Sequence, residues 1–317
     1  MRSRRGSMAI SYTAKSRAPL IAAVKSLKTS EVERLLDSGE DINQTFKEHT
    51  GEVRTPLHWA VWLEKEKMVR LLLERGSDPN VPDQDQASPL HIAAAFAQPE
   101  MMKLLLDHKA DVNIPGQRNW TALHDAAFGG ATNVIELLLQ AGADINSRNL
   151  GKDTPLHSAV AQDMVEAANL LLTSGACPHL RNWDNMRPID IVNTRIAHSR
   201  SAAAYLQNEA SAIERERQKL ADLQEQDPEA DVLDLPQLPQ NIDERVVKLN
   251  ATIERLQEFA GVLQKAMDTA PIPLDEELAL LDLRLRQLKG LQYRLNLQMK
   301  YNSSLAEKLR SVVAQMG

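Results

Sequence analysis

Four histidines, His58, His91, His124 and His157, follow one another at a constant interval of 33 residues. Imidazoles are common zinc ligands and the usual acid–base groups near neutral pH, so such a row raises metal binding and proton transfer as possible chemistries. Neither has the company it needs. The chain has one cysteine, Cys177, which excludes cysteine-paired zinc motifs and an intramolecular disulfide and fits a reducing compartment. No Gly-x-x-x-x-Gly-Lys loop, His-Glu-x-x-His or Gly-x-Ser-x-Gly elbow occurs. Catalysis, a resident metal and a cofactor are therefore not expected. The side chains better suited to work are those that make contacts. Aromatics are only 4% of the chain, so their placement carries information.

The histidines belong to a longer motif. Thr55-Pro-Leu-His-Trp-Ala, Ser88-Pro-Leu-His-Ile-Ala, Thr121-Ala-Leu-His-Asp-Ala and Thr154-Pro-Leu-His-Ser-Ala start at the same interval, and Arg187-Pro-Ile-Asp-Ile-Val continues it. After each of the four comes an apolar helical pattern, at 69–73, 101–106, 134–139 and 165–172. Turns such as Gly76-Ser-Asp-Pro-Asn and Gly142-Ala-Asp-Ile-Asn follow. A degenerate earlier copy begins at Ala18-Pro-Leu-Ile and ends near Asn43, with extra residues lengthening the loop around 46–54. Thr or Ser before Pro-Leu caps a helix whose first residue needs no N–H, and glycine after the second helix allows a left-handed end.

Over residues 17–195 this pattern closely resembles the ankyrin-repeat family, in six units counting the degenerate ends. The resemblance implies an all-α fold: a solenoid of helix-turn-helix units with short β-turn fingers. It also implies a role for the histidines, each bracing the turn of its own and the adjoining repeat. Stacked units stand ~10 Å apart, so the four rings do not converge on one ion. The first and last copies carry Ile21 and Asp190 at the histidine position, as atypical end units do.

The family leaves two sets of positions free of folding duties, the finger tips and the last residues of each first helix, which line the concave face. By the 33-residue step, the helix positions are Trp62 and Leu63, Ala95 and Phe96, Phe128 and Gly129, Ala161 and Gln162, Thr194 and Arg195. The finger positions include Arg54, Asp85, Gln117, Arg118, Trp120, Leu150, Asp153, Trp183 and Met186. Aromatic and Arg side chains anchor most interfaces. Trp62, Leu63, Phe96, Phe128, Trp120, Arg118, Arg54 and Trp183 are thus the candidate partner-binding residues, with Trp59 half-buried beside them. An apolar floor with mixed-charge fingers suits a peptide or an amphipathic helix rather than nucleic acid.

Beyond the repeats the pattern changes. Residues 196–226 read as a helix extending the last repeat, and 227–241 as an acidic, Pro-containing linker. Residues 242–317 show heptads in two runs around Pro271 and Pro273. The first seam is Ile242, Val246, Leu249, Ile253, Leu256, Ala260, Leu263 and Met267, and the second includes Leu278, Leu281, Leu285 and Leu288. A coiled-coil hairpin with too little core of its own is expected, finding burial in a homo- or hetero-oligomer. Residues 1–16 form a basic tail, and Arg4-Arg5-Gly-Ser7 fits a basophilic kinase site.

The net charge of −6 gives no general reason for nucleic-acid binding, and no apolar run approaches a membrane span. The resulting expectation is a non-enzymatic adaptor or scaffold in the cytoplasm, with the nucleus as the alternative location. A mitochondrial location is a weaker fit to the acid-free start. The alternatives are a gene-regulatory subunit resembling fungal ankyrin-containing transcription complexes, and an assembly chaperone or regulatory subunit of an enzyme complex.

Overall fold

The computed structural model describes residues 19–47, 53–226 and 242–273, without the side chains of 47, 216, 217 and 220–226. The chain forms a stack of helix pairs: α1 (Pro19–Lys25) with α2 (Thr29–Asp37), α3 (Pro56–Trp62) with α4 (Glu66–Glu74), and α5 (Pro89–Ala95) with α6 (Pro99–Asp107). These are followed by α7 (Ala122–Gly129) with α8 (Thr132–Gln140), and α9 (Pro155–Ala161) with α10 (Val165–Thr173). The odd-numbered helices stack on one another, as do α4, α6, α8 and α10, which gives two layers. Short strands β1 (Phe46–Lys47) and β2 (Val53–Arg54) pair antiparallel in the lengthened first finger.

Each inner helix begins the same way. The backbone N–H of Thr55 donates to His58 Nδ1 at 3.3 Å, and the two side chains meet at 2.7 Å. Because Nδ1 accepts, the neutral ring carries its proton on Nε2, which donates to the Ala87 carbonyl of the following finger at 3.0 Å. His91, His124 and His157 repeat the arrangement onto the carbonyls of Trp120, Asp153 and Met186. One side chain thus closes its own cap and ties the next repeat to it. In the last unit Asp190 takes over the acceptor's part, receiving the Arg187 N–H at 2.9 Å while the Arg187 guanidinium grips the carboxylate.

A second ladder joins the outer ends. Asn80 Oδ1 accepts the Asp111 N–H at 2.7 Å, Asn113 that of Asp144 at 2.9 Å, and Asn146 that of Cys177 at 2.8 Å. Outer helices α2, α4, α8 and α10 are followed by Gly39, Gly76, Gly142 and Gly175 with φ near +90°. Helix α6 is followed by Lys109, at φ +66°. A side chain in that left-handed region costs roughly 1 kcal/mol.

Helix α11 (Pro188–Gln226) starts as the inner helix of the sixth unit and continues without a break, so residues 188–226 are one element. Ile196, Ala203 and Leu206 are buried along it. The sixth unit has no short outer helix. Instead α12 (Ile242–Thr269) packs along α11 and touches α10, and Ile253, Leu256, Phe259, Leu263 and Met267 join the same apolar core as the repeats.

Of the expected hairpin, only the first arm lies within the described residues. The α12 seam faces α11 and closes the end of the solenoid. Ile242, Ile253, Leu256 and Leu263 are buried, and Val246 and Leu249 are half-buried. A two-stranded coil needs only a narrow stripe, whereas packing against a globular core needs a wider one. Phe259, beside Ala260, supplies that width. The tail 1–16, the linker 227–241 and the second heptad run with Leu278, Leu281, Leu285 and Leu288 lie outside the described residues.

Candidate partner-binding face

Because the inner helices stack side by side, their C-terminal ends form a row, and the row is rich in rings. Trp62, Phe96 and Phe128 are 41%, 47% and 46% exposed, whereas apolar side chains deeper in the same helices, such as Leu57, Leu90 and Leu123, are buried. Leu63 is half-buried next to Trp62. Further along, Ala161, Gln162 and Thr194 continue the row as small or polar exposed residues. Arg195 is tied to Asp163 by contacts of 2.6 and 2.5 Å. The surface is therefore aromatic over three units and polar over the next two.

Two other rings support this strip from below. Trp59, expected to be half-buried, is 5% exposed, with Trp62 standing edge-on to it at 5.5 Å and Lys25 Nζ 3.4 Å from its ring centre. Its indole N–H has no acceptor among the described residues. Trp120 is half-buried. Its ring meets Phe128 edge-on at 5.8 Å and leans on His124 at 5.5 Å, so it forms a wall beside Phe128 rather than a projecting finger tip.

The fingers divide. Trp183 is 69% exposed, with its backbone N–H held by the Gly151 carbonyl at 2.8 Å and Lys152 Nζ 4.6 Å above its ring. Leu150 beside it is also exposed. Arg118 is exposed on a left-handed turn residue, φ +57°, and its carbonyl accepts the Leu150 N–H at 2.8 Å. Arg54 is different. Its side chain is turned toward buried Asp83 at 3.7 Å and lies 5.2 Å from the Trp59 ring, so it braces the first fingers. A long side chain takes whichever partner the finished fold brings near, and the repeat spacing does not specify that partner.

Asp125 was not among the candidates. It occupies the place held by Trp59, Ile92 and Ser158 in the neighbouring repeats, and all three of those are buried. Burial alone pushes its carboxyl up to about 7. A charged residue at an otherwise covered position was the available signal.

The histidines are shifted the other way. Loss of water around the ring lowers His58 to about 4 and lowers His91, His124 and His157 as well, the bonds to backbone carbonyls opposing only in part. They stay neutral and committed to the turn. Among the described residues no group of three or more His, Cys, Asp or Glu could hold a metal ion, and no helix is long and apolar enough to cross a membrane.

Comparison with curated proteins yields no match. A family model described as ankyrin repeats (3 copies) matches residues 7–83 and 90–182. Those segments make up more than half of the chain, and the bonded Thr–His turns and stacked helix pairs are what that repeat requires: the chain belongs to the ankyrin-repeat family.

Proposed function

We propose that this protein is a non-catalytic adaptor that holds a protein client, a peptide or amphipathic helix, on the row of inner-helix ends. Ankyrin repeats are in general protein–protein interaction modules, which supports the class of activity. The observation that carries the specific reading is the exposure of Trp62, Phe96 and Phe128 on three successive units. A contiguous apolar strip left open to water is a usual mark of a binding site, and aromatic anchors supply most of the energy of such interfaces. Trp120 and Leu63 flank the strip, Arg118 and Trp183 stand on the fingers, and Arg54 contributes by fixing the finger next to Trp59.

The second half of the proposal is self- or hetero-association through the C-terminal heptads. The seam of α12 is consumed by α11, so we assign association to the run containing Leu278, Leu281, Leu285 and Leu288. A cytoplasmic location and the absence of direct nucleic-acid or membrane contact belong to the same reading.

The test uses a Trp62→Ala/Phe128→Ala variant of the full chain in co-purification from cells. Clients captured by the wild type should be lost while the thermal midpoint holds within a few degrees. A folded variant that keeps every client would refute the strip. Solution mass of a Leu281→Asp/Leu285→Asp variant then checks association. A mass equal to that of the wild type removes the heptads from the proposal.

A further inference from the structure

Asp125 sits one helical turn before Phe128 on α7, and residues three apart on a helix share a face. It is only partly exposed, and among the described residues its carboxyl has neither a hydrogen bond nor an ion pair. The contrast with the next unit is direct: Asp163, in the turn just after α9, has Arg195 at 2.6 Å. A carboxylate removed from water without a cation is costly, and the usual remedy is a positive partner. The adjacent inner helices offer none. The only basic residues on α5 and α9 are His91 and His157, both already bonded into their turns.

We propose that Asp125 receives a lysine or arginine side chain of the client, whose apolar residues lie against Phe128 and Phe96. This rests on the reading of the strip as the client face. The surroundings suit a long basic side chain. Its alkyl stem would lie along the Phe128 ring, whose face attracts the cation, and its head would neutralise Asp125. The chain uses the same pairing internally, with Lys25 over Trp59 and Lys152 over Trp183. A client without a basic residue would leave the carboxyl covered and unpaired, so the site discriminates by penalty as well as by attraction.

The probe is a displayed library of short random peptides selected on the full chain. Enriched sequences should carry Lys or Arg at a fixed distance from an apolar pair. For a synthetic peptide of that sequence, Asp125→Asn should weaken binding about tenfold or more, and the same peptide with norleucine in place of the basic residue should lose about twofold or less. That double-mutant cycle isolates the pair. Asp125→Ser, the residue type found at Ser158, is the second variant should the first disturb folding. Selection that yields no basic position, or losses equal for both peptides, overturns the proposal. If Phe96→Ala/Phe128→Ala abolishes binding and Asp125→Asn does not, the strip stands and the basic contact falls. If neither variant alters binding, the strip itself is refuted.

Discussion

The two ends of the inner helices both carry recurring side chains, the histidines at a constant 33-residue step and the exposed rings at steps of 34 and 32, and they have opposite fates. At the N-terminal end, His58, His91, His124 and His157 are buried, and each ring nitrogen is committed to a named partner. Little more than one turn later, Trp62, Phe96 and Phe128 stand open with no such commitment. Recurrence at a fixed step is therefore not evidence of function. What separates the rows is satisfaction: one row meets needs of its own chain, and the other leaves apolar area facing water.

The largest expected effects come from setting buried rings against exposed ones. Phe259→Ala should cost about 3–5 kcal/mol, because its ring joins α12 to the repeat core, whereas Phe128→Ala should cost under about 1 kcal/mol. Urea unfolding of the two variants checks the difference, and equal losses would mean that Phe128 is a packing residue after all. Next, His124→Ala strands the Thr121 N–H and the Asp153 carbonyl, for a loss of about 2–4 kcal/mol by the same measurement.

Acid probes the histidine row as a whole. All four folded-state values are lowered, so between the ordinary value near 6.5 and the folded value, about 4 for His58, the unfolded chain binds more protons. Stability is then complete above pH 6.5 and falls as pH drops toward 4, by up to about 1.4 kcal/mol per unit for each ring. Asp125 acts in the opposite sense, because its raised value makes the folded chain bind more protons between about 7 and 3.8. Asp125→Asn should accordingly raise the thermal midpoint at pH 8 and steepen the loss on acidification. A variant with an unchanged pH profile would contradict this assignment.

The smallest effect concerns the one outer-helix end without glycine. Lys109→Gly should stabilise by about 1 kcal/mol, since only this unit places a side chain at that left-handed position. The reverse change at an equivalent open site, Gly76→Ala, should destabilise by a similar amount because of φ +89°, with nothing near enough to clash. Calorimetry of both variants would show whether the units are interchangeable at this point.

What the sequence by itself determined is whatever depends on short separations or on the constant step. Thr55-Pro-Leu-His58 is legible because cap, N1 proline and ring acceptor lie within one turn, and the same interval carries the ring to the next finger. The exposure of Trp62 and Phe128 followed from that interval too, since a position free in one repeat is free in the next, and Phe96 is exposed at the adjoining position, which corresponds to Leu63. Tertiary structure decided the rest. Heptads on α12 showed that a helix needed burial and could not say by which surface; the open end of the stack along α11 supplied it and drew in Phe259. Trp120 became a wall and Arg54 a brace because large or flexible side chains settle on neighbours that only the finished stack provides. Asp125 stood in plain view as a residue type, but its isolation is a property of the cations that are not around it, and that is known only once α5 and α9 are in place.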